Sequence, residues 1–77
     1  MAVTITRIPP ADAHDGQKWL RLLGKVEGSP EATWKTRTVN IAAIVSGRTT
    51  VDQEKARLTA DVEEYYARWL ALGDIDL

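Results

Sequence analysis

His14 is the single histidine of the chain, and there is no cysteine. The side chains that most readily bind a metal or attack an electrophile are therefore almost missing. His14 stands in the run Asp12-Ala13-His14-Asp15, which offers a ring nitrogen and a carboxylate to a divalent ion. Third and fourth ligands at a workable spacing are lacking, so the run reads as turn or helix-capping chemistry, with no metal and no cofactor expected. Ser29 in Gly28-Ser29-Pro30 and Ser46 in Ser46-Gly47 are turn residues, and neither sits in a Gly-x-Ser-x-Gly elbow. The acids Asp61, Glu63 and Glu64 could supply a general acid and base. On a helix, however, neighbouring residues point about 100° apart, and such a run is normally a solvated face. The chain is not expected to be an enzyme.

Cations supply a second kind of chemistry. In an extended segment Trp19, Arg21 and Lys25 share one face, and further on Lys35 and Arg37 share another. If the two segments pair so that these faces coincide, Arg21, Lys25, Lys35 and Arg37 with one aromatic form a platform for phosphates and a stacked base. A nucleic-acid-binding module is thus the alternative reading, against which stands a sequence pI near 5.7.

The aromatic residues point to a protein partner. There is no phenylalanine, but Trp19, Trp34, Tyr65, Tyr66 and Trp69 are present, and tryptophan and tyrosine dominate interface anchors. In the C-terminal segment Tyr65 and Trp69 fall on the main apolar stripe of a helix and are expected in the core. Tyr66 and Leu70 form a second row about 100° away. A small sheet is not expected to cover both rows, so Tyr66 and Leu70, with Trp69 and Trp19, are the candidate partner-binding residues.

The elements that would position these residues follow from pattern. Val3 to Ile8 alternates β-branched apolar and polar residues before Pro9-Pro10, which predicts a short strand. Lys18 to Glu27 satisfies both a period of two and a helical stripe. The Asp15-Gly16 pair before it and Gly28-Ser29-Pro30 after it favour a strand, and the alternative is a helix opening near Asp12 or Asp15. Ala32 to Ile44 is rich in β-branched and aromatic residues and predicts a strand that ends or bulges near Ala42-Ala43. Thr50 to Leu72 predicts a long helix. Thr50 and Gln53 make a capping box, Asp52 and Glu54 suit the first turn, and Gly73 is the stop. Val51, Leu58, Val62, Tyr65, Trp69 and Leu72 trace its stripe. The expected fold is α+β: an antiparallel β-meander of about three strands followed by one long C-terminal helix packed on the sheet.

At 77 residues one domain, 1–77, is the ceiling, and a core of this size has little margin over conformational entropy. Without disulfides, help is expected from a partner. Charge is uneven: seven Lys or Arg face four Asp or Glu in residues 1–50, and three face seven in residues 51–77. No stretch approaches the roughly 20 apolar residues of a membrane helix, Met1 to Pro10 lacks the pattern of an export signal, and the absence of cysteine suits the cytoplasm. The expectation is a small non-catalytic accessory or regulatory module, self-associating or bound to another protein through an aromatic helix flank or an edge strand, with no membrane.

Overall fold

The computed structural model describes residues 2–9 and 18–73. Within them lie three strands, β1 (Val3–Ile8), β2 (Trp19–Val26) and β3 (Lys35–Asn40), a short helix α1 (Ile41–Val45) and a long helix α2 (Val51–Gly73). The strands form one sheet in the order β1-β2-β3, antiparallel at both pairings, and α2 packs across one face. The expected α+β meander with a C-terminal helix is what the chain builds. Asp12, His14 and Asp15 with the turn read around Gly16, and the tail 74–77, lie outside the described residues.

Register decides which side chains face the helix. Leu22 pairs with Arg7 on one side and Arg37 on the other, Gly24 with Ile5 and Lys35, and Leu20 with Val39. Directly opposed residues share a face, so Val3, Ile5, Arg7, Leu20, Leu22, Gly24, Val26, Lys35, Arg37 and Val39 all lie on the α2 side. Leu20, Leu22, Val26 and Val39 join Leu58 and Val62 of α2 in the buried core, with Val3, Ile5, Ile41, Ile44 and Tyr66 packed around it. In β2 buried and half-buried positions alternate along the whole strand. That two-residue period selects the strand over the helix for this segment, because only an extended chain hides Leu20, Leu22, Gly24 and Val26 together.

β3 is shorter than the residue types of 32–44 predict, since local hydrogen bonds interrupt it at both ends. Before it, Glu31–Thr33 forms a 3-10 turn in which the buried Thr33 hydroxyl donates to the Pro30 carbonyl at 2.7 Å. After it, Asn40 Oδ1 accepts from the Ala42 amide at 2.9 Å and opens α1. An N-cap of this kind offers the backbone an alternative to the ladder. The turn out of β2 uses Gly28 at φ 78°, and Ser29 donates from Oγ to the Val26 carbonyl at 2.6 Å.

The α2 start is the capping box read from the sequence. The Gln53 amide donates to Thr50 Oγ1 at 3.1 Å, and the Thr50 amide donates to Gln53 Oε1 at 3.2 Å. The helix has 23 residues, about 34 Å at 1.5 Å per residue. The longest strand, β2, has eight residues and spans about 26 Å, so α2 is longer than any strand of the sheet. Among the described residues no helix is long and apolar enough to cross a membrane.

Candidate functional site

The helix-to-sheet contact is held at one end by an ion cluster. Glu54, one turn into α2, is 3% exposed and accepts from Arg37 Nε through Oε2. Its Oε1 accepts from Thr49 Oγ1 at 2.9 Å and from Arg57 Nη1 at 2.8 Å. The Arg37 hydrogen bond is the largest influence on this carboxyl; with Thr49 and the positive charges of Arg37 and Arg57 it outweighs burial and holds the pKa below its ordinary value of 4.5. Glu54 was read from the sequence only as a favourable charge in the first turn. Its spacing of four from Leu58 and eight from Val62 was the signal that it stands on the buried stripe.

The other end of α2 is bare. At about 100° per residue, Trp69 points between the directions of Leu58 and Val62, which are buried, and yet Trp69 is 39% exposed. Tyr65, Leu70 and Leu72 are 41%, 46% and 51% exposed. Tyr65, Trp69 and Leu72 continue the stripe of Leu58 and Val62 and are nonetheless exposed, whereas Leu70 stands about 100° away from it. The expectation that Tyr65 and Trp69 are core and Tyr66 is free is corrected accordingly. Tyr66 is half-buried against the core, whereas Tyr65 and Trp69 are exposed. Tyr66 and Trp69 stack with centroids 6.1 Å apart and planes at 14°, which joins the last core ring to the first bare one.

Polar groups border this surface. Lys35 Nζ lies 4.8 Å from the centre of the Tyr65 ring, a cation-π contact from β3 to the helix. Glu64 accepts from Arg68 Nη2 at 2.5 Å one turn apart. With Asp61 they line a shallow groove of about 290 Å³, in which Arg68 and Glu64 are paired.

Trp19 lies elsewhere. It pairs with Asn40 at the far end of the sheet, on the face turned away from α2, so it shares no surface with Trp69, Leu70 and Tyr66. The four cations also separate. Arg21 and Lys25 are on the outer face, whereas Lys35 and Arg37 are on the helix side, where Tyr65 and Glu54 engage them. The condition for a four-cation platform, coincident faces, is not met. Among the described residues no group of three or more His, Cys, Asp or Glu is placed to hold a metal ion. Comparison with protein-family models, with curated proteins and with solved structures finds no match to this chain.

Proposed function

We propose that the chain is a small non-catalytic accessory or regulatory module of the cytoplasm that binds protein through the bare end of α2, with a second copy of itself as the first partner. The observation that carries this reading is Trp69, which continues the direction of the buried Leu58 and Val62 and yet is exposed. Tyr65, Trp69 and Leu72 are spaced by four and three, the seam along which two helices pack. Glu64 and Arg68 stand beside the seam with opposite charges, so two copies crossing antiparallel on a twofold axis meet matched rims. Exposed tryptophan, tyrosine and leucine together are the composition of an interface centre. The absence of cysteine supports the compartment.

Sedimentation equilibrium up to millimolar concentration tests the reading. A dimer that dissociates on the double substitution Leu70→Glu, Leu72→Glu, with the unfolding midpoint of the dissociated chain near that of the diluted parent, supports it. A monomer at every concentration overturns it.

A further inference from the structure

The sheet has a second face, and no described element covers it. Thr4, Thr6 and Ile8 of β1, Trp19, Arg21, Leu23 and Lys25 of β2, and Thr36, Thr38 and Asn40 of β3 lie on it by register. Its four threonines are all exposed. Leu23 is at the middle, between Thr6 and Thr36, and Arg21 and Lys25 stand on either side of it in the same row. Lys25 Nζ sits 4.7 Å from the centre of the Trp34 ring, at the margin. The three strands contain five cations and no acid. The described acids lie in the β2–β3 connection, as Glu27 and Glu31, or in α2 on the opposite side.

We infer that this outer face docks an acidic amphipathic helical segment of another protein, its leucine-rich stripe on Leu23 and Ile8 and its carboxylates on Arg21 and Lys25. The spacing is suitable. Four residues of strand separate the two cations, about 13 Å, and carboxylates seven or eight residues apart on a helix are about 10–12 Å apart, a difference that long Arg and Lys side chains span. Charge selects this occupant over others. Two copies packed back to back would oppose Arg21 and Lys25 with the same cations and no acid on the face to neutralise them. A nucleic acid would find two cations, enough to neutralise about two phosphates and release few counterions. The Trp34 ring is also occupied, by Lys25 on its face and by Ser29, whose carbonyl accepts from Nε1 at 3.2 Å. The inference goes beyond the self-association reading and does not depend on it.

The test is a titration of the isotope-labelled full chain, followed by amide chemical shifts. The probe is a synthetic amphipathic helical peptide with a leucine stripe flanked by glutamates seven or eight residues apart. Controls are the same peptide with lysine for each glutamate, an oligothymidylate and anionic phospholipid vesicles. Shifts confined to outer-face residues of the strands with the glutamate peptide, and absent with the lysine peptide, are expected. The double substitution Arg21→Glu, Lys25→Glu is expected to weaken binding about tenfold or more. Because Lys25 also contacts Trp34, a second variant, Thr6→Glu with Thr36→Glu, keeps both cations and places acids beside Leu23, and the same loss is expected. No shifts, equal response to both peptides, shifts at the end of α2 instead, unchanged binding in the folded variants, or tighter response to the oligonucleotide or vesicles would each overturn the inference.

Discussion

Gly24 of β2 lies so close under Val62 of α2 that a Cβ at position 24 would stand 2.8 Å from Val62 Cγ2 and 2.9 Å from Leu58 Cγ. The absence of a side chain here sets how near the helix approaches the sheet. The Cβ would also meet Ile5 Cδ1 at 3.2 Å, so β1, β2 and α2 converge on one point. Close approach is one of the uses of glycine in a strand interior.

Gly24→Ala should therefore destabilise the fold by overpacking, by about 1–3 kcal/mol. Val62 and Leu58 are both fully buried and have little room to withdraw. Urea denaturation checks this, and pairing Gly24→Ala with Val62→Ala should recover part of the loss. Recovery in the pair separates the steric cause from lost strand flexibility.

Glu54→Gln should cost about 1–3 kcal/mol at neutral pH, because it removes the charge that Arg37 and Arg57 hold and leaves the Arg37 side chain half-buried beside a neutral amide. The carboxyl is below its ordinary value of 4.5 in the folded chain. Its contribution is thus fully present above that value and is lost as pH falls from there through the lowered folded pKa. The stability gap between parent and Glu54→Gln should be constant from neutral pH to about 5 and should close on further acidification. Replacing the pair together, Arg37→Met with Glu54→Leu, should be near neutral or stabilising, since desolvation of both charges is then avoided.

Thr50→Ala should lower stability by about 0.5–2 kcal/mol, since it deprives the Gln53 amide of its acceptor at the start of α2. Thermal unfolding measures this. Replacing exposed Thr36 by alanine, with no cap to lose, is the reference.

Leu70→Glu with Leu72→Glu should leave the unfolding free energy of the monomer within about 0.5 kcal/mol of the parent, as for surface positions. The same variant should abolish concentration dependence of the sedimentation coefficient. Trp69→Ala should also weaken association, but with some loss of stability, since its stack on Tyr66 is broken.

Much of the architecture is local in origin. The alternation of Val3–Ile8, the capping box at Thr50 and Gln53 and the stripe through Leu58 and Val62 are written within single segments, and each survives folding unchanged. β3 is the exception among the elements. Its β-branched residues continue past Asn40, but the Asn40 side chain turns the backbone into α1, because a cap satisfies an amide that an edge ladder would have left to water.

The exposed apolar surface of α2 was legible only in part. That α2 carries more apolar residues than a small sheet can use was visible from Tyr65 to Leu72. Which of them stay bare was not, because that depends on where the strands end beneath the helix. Tyr66 packs against the core, whereas Trp69 and Leu70 stay exposed.

By itself, then, the order of residues determined β1, the long helix α2 with its cap, and the poverty of catalytic groups, since periodicity, caps and composition act over short stretches. Only the tertiary structure decided that Arg37 meets Glu54, that Arg21 and Lys25 part from Lys35 and Arg37, and that Trp69 stays exposed. Those outcomes follow from strand register and from the difference in length between α2 and the sheet, which are relations between segments distant in the chain.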